Sequence, residues 1–102
     1  IWQVNVARPL PALRSQQRYR VTFTVKADRP VDMTVEVTQN EPPYKGLGLK
    51  RQIAVSTEPT EWTLDFIAEK SVDWGRLRFD LGKAIARIEL SSFRFTEIAS
   101  PP

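Results

Sequence analysis

The chain contains neither histidine nor cysteine, which removes imidazole bases, thiolate nucleophiles, disulfides and the usual zinc ligands together. The chemistry that remains lies in carboxylates, guanidinium groups, amides and aromatic rings. Asp65, Asp80, Glu36 and Glu89 supply acids, and a pair of them about 5 to 9.5 Å apart would suit acid and base work across a glycosidic bond. Outward acids of this kind occur on any soluble sheet, so catalysis is not expected. Arg76, Arg78 and Asp80 are more distinctive, because three successive charges share the phase opposite Leu77, Phe79 and Leu81. They read either as a solvated ladder paired with Glu36 or Glu89 on neighbouring strands, or as a recognition row. In the second case guanidinium forks would match carboxylates bidentately and take acidic sugars such as uronates. Trp74, in the Ser71-Val72-Asp73-Trp74-Gly75 turn, falls outside any alternation and is either a lid on the core edge or an exposed binding aromatic.

The elements that must hold these residues are strands. Period-two alternation, with one face apolar and the other polar, runs through nearly the whole chain. Trp2, Val4 and Val6 alternate with Gln3, Asn5 and Ala7, and Trp2 and Trp62 fall in core phase. After a Pro-rich connection over residues 8–13, Tyr19, Val21, Phe23, Val25 and Ala27 alternate with Arg20, Thr22, Thr24 and Lys26. Asp28-Arg29-Pro30 then predicts the turn of a hairpin to the strand of Val31, Met33, Val35 and Val37. Residues 39–48 form a loop by their Pro and Gly content, with Tyr44 at the tip. Further alternating segments follow over 49–55, 62–66, 77–81 and 88–95, and the slip between Leu90 and Phe93 predicts a bulge. About seven short strands without a helix predict an all-β fold, an antiparallel β-sandwich of the jelly-roll kind.

With 102 residues, of which 41% are hydrophobic and 26% charged, one domain with one core is expected, over residues 1–97, followed by a tail or linker start over 98–102. A net charge of +3 with no Lys/Arg run longer than two argues against nucleic acid as a partner. No apolar stretch reaches the roughly 20 residues of a membrane span, and no signal-peptide pattern opens the chain.

Blocks in a fixed order carry a resemblance to a known family. Trp2-Gln3-Val4-Asn5-Val6 precedes Tyr19-Arg20-Val21-Thr22-Phe23-Thr24-Val25-Lys26-Ala27, and Val35-Glu36-Val37-Thr38-Gln39-Asn40 runs into Pro43-Tyr44. Glu61-Trp62-Thr63-Leu64-Asp65-Phe66, then Gly75-Arg76-Leu77-Arg78-Phe79-Asp80-Leu81-Gly82, and last Ile88, Leu90, Phe93 and Phe95 complete the set. Together they resemble the carbohydrate-binding modules of the family four, nine and twenty-two type, which accompany cellulases and xylanases.

The resemblance implies a noncatalytic domain of a secreted or periplasmic glycoside hydrolase that holds a polysaccharide or oligosaccharide on a concave sheet face. By family position Tyr44, Gln39 and Asn40 would contact sugar, although amides there also cap turns. Arg76, Arg78 and Asp80 occupy positions where relatives carry hydroxyl-reading amides. Thr34, Gln3 and Asn5 would line the same groove, with Trp74 as a further candidate. Relatives open with an additional strand and loop before the Trp2 segment. Many also hold a structural calcium through an acidic pair where this chain has Ser91-Ser92, so no calcium or other cofactor is expected. The competing expectation is a structural or interaction sandwich whose charged row packs on a neighbouring catalytic domain without binding sugar.

Overall fold

A computed structural model describes residues 2–3, 6–40, 42, 45–82 and 86–99, with only the backbone for 2, 3, 6 and 7. Among them are strands β1 (Trp2–Gln3), β2 (Val6–Leu10), β3 (Arg18–Ala27), β4 (Val31–Gln39), β5 (Gly46–Val55), β6 (Thr60–Ile67), β7 (Gly75–Asp80) and β8 (Ile88–Ile98). They form two four-stranded sheets of order β1-β8-β3-β6 and β2-β7-β4-β5, in which every described pairing is antiparallel. We call these the first and second sheets. The expected all-β jelly-roll sandwich is thus the observed fold. The last strand runs to Ile98, one residue past the expected end of the domain.

Alternation works because each sheet has one apolar face and the two faces share a core. Val21, Phe23, Val25 and Leu64 of the first sheet meet Met33, Val35, Val37, Leu77 and Phe79 of the second, all essentially without exposure. The Phe23 ring meets that of Phe79 edge-on at 5.2 Å, joining the sheets at their centre. Toward one end Tyr19 stacks between Phe66 and Phe95, and its hydroxyl accepts from the Arg14 backbone N–H. Trp62 packs partly buried against this core.

Three expectations are corrected. Residues 28–30 do not close a hairpin: β3 pairs with β6 and β8, whereas β4 pairs with β5 and β7. The turn is an arch between sheets, tied to the β7–β8 connection by Asp28, whose carboxylate and N–H bond the Arg87 backbone. The segment 2–6 is not one strand, since β1 belongs to the first sheet and β2 to the second. Nor are residues 8–13 wholly a connection, because Arg8, Pro9 and Leu10 pair with β7. Pro9 is tolerated there because β2 is an edge strand. The Leu90 to Phe93 slip is the bulge expected of it: the β3–β8 register shifts between Thr22 and Thr24, and Ser92 takes φ 52°.

The margins of the sandwich close differently. On one side Gly48 of β5 lies so close to β6 that a Cβ would stand 2.3 Å from the Ile67 carbonyl oxygen. Its φ of 125° adds a second reason for glycine, and the Glu69 N–H donates to the Leu47 carbonyl along the same seam. On the other side the Arg8 guanidinium sits 4.9 Å above the Phe93 ring. β1 pairs with only Ile88 and Glu89, so beyond Glu89 the described partner of β8 is β3 alone.

Candidate binding face

The outward face of the second sheet collects most of the residues singled out from the sequence. β7 buries Leu77 and Phe79 and turns Arg76, Arg78 and Asp80 outward. Cross-strand register sets Thr38 beside Arg76, Glu36 beside Arg78 and Thr34 beside Asp80. Trp74 immediately precedes β7 in the same phase as Arg76, and the residue is 63% exposed. The Trp74 carbonyl accepts from the Asn40 N–H, so these two residues end the face together. From Trp74 to Asp80 the row spans about 20 Å at strand spacing.

The charges on this face form one linked group. Arg78 lies between two carboxylates, 3.6 Å from Glu36 and 2.9 Å from Asp80. Asp80 is held in turn by the Gly82 N–H at 2.8 Å, in a turn where Gly82 takes φ 63°. The face is sheltered for an outward one. Thr38 is 1% exposed and the Glu36 side chain only 20%. A guanidinium already committed to two carboxylates is poorly disposed to grip a third on a ligand, which counts against a uronate grip at Arg78. Its remaining N–H groups and the carboxylate lone pairs instead offer donors and acceptors in fixed positions. Of the two ladder partners considered, Glu36 is the one used. Glu89 lies on the first sheet and pairs with Lys26 at 3.5 Å.

Other candidates fall elsewhere. Gln39 has core phase at the end of β4, is 8% exposed, and faces a cavity at the end of the sandwich. Gln3 belongs to β1 and hence to the first sheet, so its strand does not contribute to the Arg78 face. Tyr44 and Asn5 lie outside the described residues. Sequence reasoning missed Thr38 as a member of the face and named Glu36 only as a ladder partner. The signal was present in their alternation with Val35 and Val37, but their shelter depends on neighbouring strands.

Among the described residues no group of three or more acidic side chains is placed to hold a metal ion. No helix among them is long and apolar enough to cross a membrane.

No protein-family model matches the chain and no curated protein matches it in sequence. Solved structures do. A CBM4 structure superposes with a TM-score of 0.81 at 17% identity, covering 92% of this chain and 61% of its own. The N-terminal cellulose-binding domain of Cellulomonas fimi β-1,4-glucanase C superposes with a TM-score of 0.72 at 22% identity, covering 93% of this chain and 70% of its own. The chain therefore spans about three fifths of the length of the first and is built on the same jelly-roll sandwich as both.

Proposed function

We propose that this domain is a noncatalytic module that binds a neutral polysaccharide along the outward face of the second sheet. The observation that carries the reading is the exposed Trp74 ring at the end of a sheltered row of fixed polar groups. A pyranose has an apolar C–H face and a rim of hydroxyls that donate and accept. An aromatic plate beside Glu36, Arg78 and Asp80 meets both needs. The fold shared with a domain that binds cellulose supports the same reading.

Glu36 and Asp80, the carboxylates of this face, are both held by one guanidinium, which suits them to fixing hydrogen bonds and not to passing protons across a glycosidic bond. The module's contribution is then to hold an attached glycoside hydrolase near its substrate and raise its effective concentration. Such a role places it outside the cytoplasm, secreted or periplasmic.

Affinity electrophoresis through gels containing barley β-glucan, xylan, hydroxyethylcellulose or polygalacturonate tests this directly. Retardation is expected on at least one neutral gel and not on polygalacturonate, with no release of reducing sugar. Migration unaffected by every gel would sink the sugar-binding reading and favour an interaction sandwich packed on a neighbouring domain.

A further inference from the structure

β5 flanks the outward face of the second sheet with a break in its pattern. Its pairing with β4 sets Glu36 opposite Lys50 and Thr38 opposite Gly46. Between those two pairs β4 has only Val37, whereas β5 has Leu47, Gly48 and Leu49, so β5 bulges. Leu47 and Leu49 are buried in the core, and a Cβ at Gly48 would point at the Ile67 carbonyl of β6. From residue 46 to 49, β5 therefore sends no side chain onto the outward face.

The two glycines of this stretch are there for different reasons. Gly48 is required by its φ of 125° and by its contact with Ile67. Gly46 is required by neither. Its φ lies outside the left-handed region, and a Cβ there would meet nothing closer than Glu36 Oε2 at 3.6 Å, an ordinary contact. A glycine in a strand costs stability relative to alanine. Where the backbone does not call for one, close approach of another molecule is a physical reason for it.

The Glu36 carboxylate supplies the space over Gly46 with an acceptor. Its Oε1 faces Arg78 at 3.6 Å, while Oε2 is the atom beside Gly46. No donor among the described residues is bonded to Oε2, and Lys50, the register partner of Glu36, forms no ion pair with it. Arg78 thus holds one oxygen of a largely sheltered carboxylate and leaves the lone pairs of the other for a donor from outside.

We propose that this stretch of β5, with Glu36 Oε2 at its edge, is a contact zone for one sugar unit of the polysaccharide: a hydroxyl donates to Oε2, and Gly46 leaves room for the ring. The inference rests on the sugar-binding reading of the second sheet and widens it, because β5 lies two strand spacings, about 10 Å, from β7. The zone selects a free hydroxyl. An ether or ester at that position has no proton to donate, and the Glu36 charge repels a carboxylate.

The test uses whichever of barley β-glucan, xylan and hydroxyethylcellulose retards the wild-type domain, with affinities from titration calorimetry and stabilities from urea denaturation. Gly46→Ala and Gly46→Val should unfold at midpoints no lower than wild type, because each removes a strand glycine that the backbone does not need. Affinity should fall about threefold with alanine and about tenfold with valine, as the space fills. Glu36→Gln should also weaken binding, and its combination with Gly46→Val should lose less than the product of the two single losses, since both act on one contact. Affinity of Gly46→Val within about twofold of wild type overturns the contact zone, as does a full product in the double variant. If Gly46→Val fails to fold, Gly46→Ala decides: a lowered midpoint with affinity intact makes Gly46 structural and overturns the inference. Loss of affinity in Trp74→Ala with none in either Gly46 variant would confine recognition to β7 and β4, whereas failure of every polysaccharide to bind the wild type overturns the sheet reading itself.

Discussion

The two outward faces of the sandwich are made by the same alternation from similar residue types, yet they differ in how their charges are arranged. On the first sheet the ion pairs join register neighbours across the strands: Arg20 with Asp65, and Lys26 with Glu89. Threonines 22, 24, 63 and 96 fill the positions between. On the second sheet one cation is shared by two carboxylates, one of those is pinned to a turn, and an exposed aromatic ring stands at the end. Pairs of the first kind support strand register and little else. The linked group fixes polar atoms in space beside an apolar plate, which is the arrangement on which the proposed recognition rests.

That contrast presumes a scaffold common to both faces, and the severest way to break it is at the seam. Gly48→Ala places a Cβ against the Ile67 carbonyl and forces an unfavourable φ. Together these should destabilise the fold by about 3 kcal/mol or more. Urea denaturation should show a large fall in midpoint. A midpoint near wild type would mean that β5 and β6 are not in this close contact and that the faces are less rigidly related than described.

Trp74→Ala addresses the second face alone. The ring is mostly exposed, so stability should change by less than about 0.5 kcal/mol. Affinity for the retarding polysaccharide should fall about tenfold, as for loss of a stacking aromatic. The equivalent truncation on the first face, Thr22→Ala, should leave affinity unchanged. Equal losses from the two variants would erase the distinction between the faces.

Arg78→Ala sharpens the comparison in a smaller range. It leaves Glu36 and Asp80 facing each other without their shared cation, and should destabilise by about 1 kcal/mol, a modest figure because the group is partly exposed. Binding should weaken as well, because the donors that read hydroxyls are gone. Arg78→Lys should not restore binding fully, since an ammonium lacks the planar fork that reaches both carboxylates. Full recovery with lysine would reduce the linked group to simple charge balance.

How much of this was legible beforehand follows from what alternation encodes. It states which residues face the core, and so the strands, the buried set around Phe23 and Phe79, and the outward phase of Arg76, Arg78 and Asp80 could be read directly. It does not state to which sheet a strand belongs, because a strand satisfies the same pattern on either side of one core. That is why Asp28-Arg29-Pro30 read as a hairpin turn when it is an arch. Gln3 was grouped with the Arg78 face on the family resemblance alone, which alternation could not check. The cavity at the sandwich end was not legible at all. Leu13, Gln39 and Val72 are far apart in sequence and meet only because β4 and β7 pair and the Leu13–Val72 bridge forms. Charge identity was legible, but commitment was not: the two arginines suggested a grip on carboxylates until Arg78 was found already holding two.

The smallest expected effect concerns the first face, and it checks that its ion pairs act locally. Arg20 donates from Nε and Nη2 to the two Asp65 oxygens at 2.8 and 3.0 Å. That hydrogen bonding holds the Asp65 carboxyl below its usual 3.8. The folded state therefore prefers the ionised form more than the unfolded state does. The resulting stabilisation is complete above the unfolded value and is lost as the pH falls through the lowered folded value. Both groups are exposed and salt screens them, so the increment is small. Urea midpoints followed from neutral pH down to below 3.8 should show a slightly steeper acid loss for wild type than for Arg20→Gln, and the two should converge at the acid end. Polysaccharide affinity at neutral pH should be the same for both. If Arg20→Gln weakened binding instead, the first face would have to take part in recognition, and its separate, register-holding pairs would need a reading other than the one their geometry supports.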